Sequence, residues 1–367
     1  MIRIRSPGRI CLFGEHQDYL GYPTISMAIS RFIFLKAKRI DENKFKIILP
    51  DMNQEILIDN LGKEKQYRNN RDYLISGFNQ FLRSGISFNK GYEISINGNI
   101  PINAGAASSS ALVVAWLYFL NLISGRPFSK YKLTLLAYET EVGEFGEAGG
   151  MMDFFNSIFG NLIYLENQGD YPEYIKWNLD LERFVLVDSR QKKSTVEDLK
   201  NIKSTSLTAF QALNDIMDNF NKYSTKLDDI KGYLPSLKNE YQEKIIGNLI
   251  NRDLTKKAYS LFIKYGPILT QAKNINDINF FYETLGELLN QHHLQLKNNI
   301  RITTEKIDHM IDKSIQKGAI AGKINGSGFG GTFFILTNDN KDILIKNFSN
   351  LNLKAYSINT SGGVQLF

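Results

Sequence analysis

The chain has 367 residues, 43% hydrophobic and 12% aromatic, which excludes a disordered or fibrous protein and favours two domains with a large buried core. Its single cysteine, Cys11, excludes an internal disulfide framework and fits a reducing cytosol. The net charge of +6, spread along the chain, fits either an anionic ligand or an ordinary basic surface.

Signals for secretion or membrane insertion are not visible in the sequence. Residues 1–5 do not resemble a signal peptide, and the longest apolar run, residues 111–123, is too short to cross a bilayer. We therefore expect a cytoplasmic protein with no membrane partner and no nucleic-acid partner. The oligomeric state, monomer or dimer, stays open.

Apolar periodicity predicts a mixed α/β chain. Alternating or continuous apolar runs predict strands at residues 2–4, 10–13, 24–29, 31–49 with a turn at 41–43, 92–98, 161–165, 184–188 and 332–336. Helical spacing predicts helices at residues 67–82, 108–123, 131–143, 211–223, 254–264 and 279–296. The early strands predict an antiparallel or mixed sheet, and the shift to helical patterns near residues 189–194 predicts a domain boundary there.

The first functional candidate is a polar loop at residues 9–21, which we expect after a short strand broken by a Pro-Gly pair. The candidate side chains in it are Arg9, Glu15, His16, Asp18 and Tyr19. One histidine with two nearby carboxylates is a poor match to the usual metal-ligand spacings. A hydroxyl-rich ligand suits this mixture of donors and acceptors better.

The second candidate is the stretch at residues 101–111, where small residues and three serines precede an apolar helix. Small residues let backbone N–H groups approach an anion, and a helix that starts at the serines would direct its positive end toward that anion. The stretch therefore predicts a phosphate-binding loop. An ordinary core helix capped by a serine is an equally good interpretation of this stretch alone.

Two further segments carry chemistry. Asp153 follows Gly149 and Gly150 in an apolar setting, so its carboxylate is either satisfied by the fold or functional. Residues 322–336 contain a GxGxxG pattern, but a strand-like run follows it, which excludes a dinucleotide-binding fold. These glycines predict a hairpin turn, or a close approach of one backbone to another loop and its ligand. No GxxxxGK[ST] motif is present.

These segments, in this order, resemble the three motifs of the GHMP kinase superfamily. Residues 8–21 are similar to the galactokinase signature, and residues 285–293 and 325–331 also look galactokinase-like. The resemblance implies an α/β (α+β type) fold with two domains, mixed sheets and an active-site cleft between the domains. It places the sugar loop, phosphate loop and catalytic aspartate in residues 1–190, and the helical stretch and glycine-rich motif in residues 191–367.

The resemblance also implies an ATP-dependent kinase that phosphorylates galactose or a related monosaccharide on its anomeric hydroxyl, with ATP as co-substrate and Mg²⁺ as cofactor. Matched by position, the catalytic residues are Asp153 and Arg9, and the metal ligands are Ser110 and Glu141. The implied sugar contacts are Glu15, His16, Asp18, Tyr19 and Gly150. The implied ATP contacts are Asn103, Gly105, Ala106, Ser108, Ser109, Ser110 and Gly328.

The sequence departs from the galactokinase pattern at a few positions. The phosphate loop carries fewer glycines than is usual, Gln17 replaces a threonine, and residues 20–22 lack the usual asparagine and glycine pair. Residues 201–276 cannot be aligned with the family. Three alternatives therefore stay open: a kinase for another sugar such as arabinose or a uronic acid, a mevalonate kinase, and a non-enzymatic sensor of sugar and ATP.

Overall fold

The computed structural model describes residues 1–168, 171–192, 196–271, 275–338 and 341–367. Its strands are β1 (Ile2–Phe13), β2 (Thr24–Ile40), β3 (Phe45–Leu49), β4 (Gln54–Ile58), β5 (Gly91–Gly98), β6 (Leu162–Glu166), β7 (Glu173–Trp177), β8 (Phe184–Asp188), β9 (Ala319–Ile324), β10 (Thr332–Thr337), β11 (Lys354–Ile358) and β12 (Gln365–Leu366). Its α-helices are α1 (Tyr73–Arg83), α2 (Ser108–Ile123), α3 (Lys130–Tyr138), α4 (Met152–Phe159), α5 (Val196–Asn214), α6 (Leu227–Ile230), α7 (Asn239–Gln271), α8 (Ile275–Gln295), α9 (Glu305–Gln316) and α10 (Lys341–Asn350). This mixture of strands and helices confirms the predicted α/β fold class.

The larger sheet has eight strands among the described residues, in the order β12-β1-β2-β5-β3-β4, with β6 paired to β2 and β7 to β6. β3 and β5 are parallel and the other pairs are antiparallel, which confirms the predicted mixed sheet. Successive side chains of a strand point to opposite faces of the sheet, so every second residue faces the helices. In β3, for example, Phe45, Ile47 and Leu49 are buried while the residues between them are half-buried.

Helix α2 forms the centre of the core beneath this sheet. Ten of its 16 residues are buried, as expected for a helix that is apolar on nearly every face. Trp116 and Phe119 stack on each other and both meet Phe45 of β3 edge-on. The indole N–H of Trp116 donates to the Leu74 carbonyl at 2.8 Å. This packing fixes the N-terminus of α2 relative to the sheet.

The smaller sheet has the antiparallel order β11-β8-β10-β9 within the described residues. All six residues of β10 are buried, because the strand lies between two neighbours and under helices. β8, which precedes residue 190, belongs to this sheet, while the C-terminal β12 pairs with β1. The predicted domain boundary between residues 190 and 191 stays a prediction, and positions 193–194 lie outside the described residues.

Strand β1 corrects one sequence expectation. We expected a short strand at residues 2–4, a loop at residues 9–21 and apolar residues 10–13 suited to a buried strand, but one continuous strand β1 runs from Ile2 to Phe13. The Pro-Gly pair does not end the strand, because a register shift between Pro7 and Arg9 absorbs it as a bulge against β2. Arg9 is therefore held on a strand, and the polar loop contains only the residues after Phe13.

Several helix predictions also need correction. The expected helix at residues 211–223 is wrong beyond Asn214, where α5 ends and turns follow. Asparagine and aspartate at 214 and 215 favour turns, because their side chains compete for backbone hydrogen bonds. α1 begins at Tyr73 instead of residue 67. Residues 131–143 are helical as predicted, in α3 and then in a π-helical turn over Glu139–Gly143. The strands β4, β7, β11 and β12 were not predicted. Residues 254–264 lie in α7, as predicted.

No helix in the described part of the chain is long and apolar enough to cross a membrane.

Candidate active site

The phosphate-loop candidate is a strained backbone turn followed by a helix. Asn103, Gly105 and Ala107 all have positive φ angles, of 54°, 90° and 59°. α2 begins at Ser108, as predicted, and Ala107 at the cap position provides no side-chain hydrogen bond, so the alternative of a helix capped by a serine is wrong. The first amides of α2 therefore keep their donors for another acceptor, as at other helix N-termini that bind anions. The ATP contacts assigned to this loop stay a prediction.

The glycine-rich motif packs directly on this loop. The Asn325 side-chain amide donates to the Gly105 carbonyl at 2.9 Å, and the Thr332 backbone amide donates to the Ala104 carbonyl at 2.6 Å. A Cβ atom on Gly105 would lie 2.5 Å from the Asn325 carbonyl oxygen. The glycines thus form the turn between β9 and β10 and permit the close backbone approach, which confirms both roles suggested by the sequence.

Gly328, which the resemblance placed at the nucleotide, lies at a different part of this turn. A Cβ atom there would lie 2.4 Å from the Ile302 carbonyl oxygen, and the next amide, from Phe329, donates to that oxygen at 2.6 Å. The glycine contacts with the phosphate loop come from Gly326 and Gly331 instead. The ATP role of Gly328 stays a prediction.

The predicted catalytic pair forms in the structure. Asp153, in the first turn of α4, accepts two hydrogen bonds from Arg9 on β1, at 2.7 Å from Nε and 2.9 Å from Nη2. The remaining guanidinium nitrogen, Nη1, donates to the Gly105 carbonyl. Burial opposes the charge of Arg9, but Asp153 and Glu15 outweigh it and raise its pKa. One arginine therefore connects the phosphate loop to the aspartate.

Two of the predicted sugar contacts, Glu15 and His16, are held by protein groups. Glu15 forms an ion pair with the fully buried Lys323 and accepts the Gly326 amide. His16 lies 2.8 Å from the Tyr19 hydroxyl through Nδ1 and 3.1 Å from the Ser327 carbonyl through Nε2. Both side chains join the loop after β1 to the glycine-rich motif. Their contact with a sugar stays a prediction.

Asp18 and Gly150 meet on the opposite side of the same loop. A Cβ atom on Gly150 would lie 1.8 Å from Oδ2 of Asp18, so only glycine fits there. The Tyr19 amide donates to Asp18 at 2.9 Å, and the Met152 amide also donates to it. Burial first, and then Asp153, raises the pKa of Asp18 to about 6. Asp18 thus lies within electrostatic reach of Asp153 and Arg9, the predicted catalytic pair.

A cavity of about 370 Å³ opens beside Asp18. Its lining includes Asp18, Tyr19 and Gly150 on one side and Lys203, Lys222 and Tyr223 on another. This volume falls in the usual range for small-molecule sites. Polar groups on several sides and room for a small ligand make it the candidate sugar pocket.

Glu141 lies in the wide turn after α3 and faces the start of α2. Burial raises its pKa to about 7, although hydrogen bonds from the Ser109 and Ser110 side chains act in the opposite direction. Its Oε2 atom is buried and has no hydrogen-bond partner within the described ranges. An unpaired carboxylate oxygen beside a serine hydroxyl fits a hard cation such as Mg²⁺. The described residues contain no group of three histidine, cysteine, aspartate or glutamate side chains that could hold a metal.

Four residues of this region were not predicted as site residues from the sequence: Lys323, Asn325, Lys203 and Lys222. A signal existed for Lys323, because a lysine inside an apolar strand must find a charged partner. Asn325 joins two motifs, since it donates to Gly105 and accepts the Cys11 amide at 3.0 Å. Lys203 and Lys222 lie in the segment that could not be aligned, and nothing in their local sequence marks them.

Comparison with known proteins identifies three matching families. Residues 72–161 match the family described as GHMP kinases N terminal domain, and residues 278–350 match GHMP kinases C terminal. Residues 2–39 match the galactokinase galactose-binding signature. The three ranges together include more than half of the chain and contain the loop after β1, the phosphate loop, Asp153 and the glycine-rich motif, but not Lys203 and Lys222.

Individual relatives agree with these matches. The chain is 27% identical to a galactokinase from Thermotoga neapolitana, over 92% of this chain and 89% of that protein. It is 27% identical to a galactokinase from Pyrococcus furiosus, over 93% and 90%. The crystal structure of Lactococcus lactis galactokinase complexed with galactose has the same fold, with a TM-score of 0.83, 21% identity and coverage of 100% and 95%. The chain therefore belongs to the GHMP kinase superfamily and carries the galactokinase signature.

Proposed function

We propose that this protein is an ATP-dependent sugar 1-kinase that transfers the γ-phosphate of ATP to the anomeric hydroxyl of galactose or a related monosaccharide. The observation that carries the proposal is the position of Asp153. Arg9 binds its carboxylate bidentately and also donates to the phosphate loop at Gly105, while Asp18 lines the cavity and lies within electrostatic reach of Asp153. A phosphate donor and a hydroxyl acceptor can therefore meet at one carboxylate.

The acceptor side of the reaction uses Asp153. The anomeric hydroxyl oxygen of the sugar forms a bond to the γ-phosphorus, and the bond from that phosphorus to the β,γ-bridging oxygen breaks, so ADP leaves. The hydroxyl proton passes to Asp153, whose side chain is 23% exposed and thus accessible from the cleft. Arg9 keeps the carboxylate oriented during this transfer, because two hydrogen bonds fix its plane.

The donor side uses the loop before α2. We assign the phosphates of ATP to the backbone amides and hydroxyls of Asn103, Gly105, Ala106, Ser108, Ser109 and Ser110, together with Gly328, because a helix N-terminus after small residues suits an anion. Ser110 and Glu141 would hold Mg²⁺, which fits the unpaired oxygen of Glu141. The bound ion supplies positive charge that neutralises the phosphate oxygens.

The sugar side uses the loop after β1. Asp18 and Gly150 border the cavity and are our first choice for direct sugar contacts, together with Tyr19. Glu15 and His16 complete the predicted set, although each also has partners in the glycine-rich motif. The galactose-binding signature favours a sugar over mevalonate. Arabinose, a uronic acid and the role of a non-enzymatic sensor remain alternatives, and a cytoplasmic location stays a prediction.

A substrate panel tests the proposal. Purified protein with ATP and Mg²⁺ would be offered galactose, arabinose, galacturonate and mevalonate, with ADP release measured and the product identified by phosphorus NMR. We expect a sugar 1-phosphate. Binding of both ATP and a sugar in calorimetry without turnover on any compound would favour the sensor. Phosphorylation of mevalonate alone would overturn the assignment to a sugar.

A further inference from the structure

We propose that the cavity beside Asp18 selects monosaccharides that carry an anionic group, a carboxylate or a phosphate, on the part of the sugar directed away from the transferred phosphate. The inference rests on the proposed function, because it assumes that the sugar occupies this cavity. The residues that carry it are Lys203 and Lys222, which line the cavity together with Asp18 and Gly150. A neutral sugar would leave both ammonium groups without an anion.

Lys222 is held in place by the protein but is not neutralised. Its Nζ donates to the Leu20 carbonyl at 2.5 Å and lies 4.9 Å from the centre of the Tyr223 ring. Its own carbonyl accepts from the fully buried Arg252 at 2.8 Å, which fixes the backbone at this position. An ammonium group has three donors, so two remain after the bond to Leu20. The lysine is thus positioned to bind an anion.

Lys203 approaches the same cavity from α5. Its Nζ lies 5.4 Å from the centre of the Tyr19 ring, so the ammonium group forms a cation–π interaction with this residue of the loop after β1. Over the described ranges of the chain, neither Lys203 nor Lys222 forms an ion pair with a carboxylate, whereas Lys323 and Arg9 both do. Two half-buried, unmatched cations that line one cavity are unusual for a site that binds only neutral ligands.

The surroundings add to the positive charge. Arg252 and Lys256 lie behind Lys222, and the Lys256 ammonium donates to the Tyr223 carbonyl at 2.8 Å. Of the acids nearby, Asp253 pairs with Arg252 at 2.7 Å, Glu166 lies within electrostatic reach of Lys256, and Asp18 lies at the side of the cavity next to Asp153. The cavity is therefore acidic beside the catalytic pair and basic elsewhere. This polarity would orient an acidic sugar with its anion toward the lysines.

The transferred group also argues for this orientation. The γ-phosphate of ATP would approach from the side of Asp153 and the loop at Gly105, where Arg9 already supplies a cation. Lys203 and Lys222 line the cavity beyond Asp18, and their ammonium groups contact the loop after β1, at the Tyr19 ring and the Leu20 carbonyl. We therefore assign the two lysines to the sugar and not to the nucleotide. Charge-assisted hydrogen bonds of this kind are stronger than those between neutral groups.

The first test compares sugars that differ only in the distal group. The holoenzyme with ATP and Mg²⁺ would be assayed with galactose, galacturonate and galactose 6-phosphate, the last two separating a carboxylate from a phosphate. We expect kcat/KM for at least one acidic sugar to exceed that for galactose by about tenfold or more. A higher kcat/KM for galactose than for both acidic sugars would overturn the inference while leaving the proposed function intact. Turnover of none of the sugars would instead contradict the proposed function.

The second test removes the charges. Lys203→Met and Lys222→Met should each lower the ratio of acidic-sugar to galactose kcat/KM by about tenfold or more. Lys200→Met is the matched control, because Lys200 is an exposed residue of the same helix that does not line the cavity, and it should keep the ratio within about twofold. Lys203→Arg keeps the charge and should retain most of the preference, which separates loss of charge from misfolding.

The same variants identify a nucleotide role if one exists. A rise in the KM for ATP with an unchanged sugar ratio would assign the lysines to the nucleotide and overturn the inference. Calorimetry with galacturonate alone, without ATP, gives an independent measurement. We expect its Kd to rise about tenfold in Lys203→Met and to stay unchanged in Lys200→Met.

Discussion

The loop between β1 and β2 has two sides that differ in how its acidic residues are satisfied. On the side of the glycine-rich motif, Glu15 is bound by Lys323 and by the Gly326 amide, and almost none of it is exposed. On the cavity side, Asp18 accepts two backbone amides and borders open space. Both acids belong to one short sequence signature, yet only the second has a free approach for a ligand.

This contrast predicts that Glu15 contributes to the stability of the fold and that Asp18 contributes to substrate binding or turnover. A buried ion pair costs stability when one partner is removed, because the other charge stays buried. A group beside a cavity should instead affect substrate binding or turnover while the fold tolerates the change. Changes on the filled side should therefore lower the free energy of unfolding, and changes on the cavity side should lower kcat or raise KM.

The largest effect is expected from Lys323→Met. The change leaves the Glu15 carboxylate buried without its cation, which should lower the free energy of unfolding by about 3 to 5 kcal/mol in urea titration. Adding Glu15→Gln to this variant should recover part of the loss, because the unpaired charge is then absent. A loss below about 1 kcal/mol in the single variant would show that the pair does not hold the two motifs together.

Asp153→Asn tests the catalytic centre. The substitution keeps the shape and removes the charge, so kcat should fall by about 10² or more, while calorimetry should give affinities for ATP and sugar within about tenfold of the parent. Such a result would place the effect in the transition state. A kcat close to that of the parent would remove Asp153 from the catalytic role.

The raised pKa of Asp18 predicts a dependence of stability on pH. Because the folded protein holds this proton up to about pH 6, against an ordinary value of 3.8, ionisation of Asp18 destabilises the fold as pH rises from about 4 to 6. Asp18→Asn removes that cost. Its stability relative to the parent should increase by about 2 kcal/mol between pH 4 and pH 7 in urea titrations. A difference that is constant over this range would contradict the prediction.

Asp18→Ala tests the sugar contact directly. A buried acceptor that pairs with a sugar hydroxyl contributes about 1 to 3 kcal/mol, so the KM for the sugar should rise by about tenfold or more with little change in the KM for ATP. Steady-state kinetics with each substrate varied in turn measures both constants. Equal increases in the two would remove Asp18 from the sugar site.

The smallest effect is expected from Glu141→Gln. Mg²⁺ keeps several waters and phosphate oxygens as ligands, so loss of one carboxylate should raise the Mg²⁺ concentration for half-maximal activity by about tenfold. Glu139→Gln, an exposed residue of the same turn, is the control and should titrate like the parent. Sugar binding should not change in either variant. An identical Mg²⁺ titration for Glu141→Gln and the parent would make Glu141 structural.

The sequence alone was sufficient for the fold class and for most strands, because both follow from local chemistry. Alternation in β3 and β5, and the apolar run of α2, reflect burial that every residue of the run shares. The role of the glycines around residue 326 could also be predicted from the sequence, since close backbone contact requires the absence of a side chain. Such features depend on a few neighbouring residues and do not depend on how distant elements pack.

The partners of the site residues were decided only by the tertiary structure. Glu15 meets Lys323 across 308 positions, and the bond between Arg9 and Asp153 spans 144. Lys203 and Lys222 reach the cavity from a segment without a recognisable motif. A sequence specifies which side chains carry charge, but the contacts that neutralise a charge or leave it available depend on how distant elements pack. For this reason the signature named both Glu15 and Asp18, and the fold alone distinguished them.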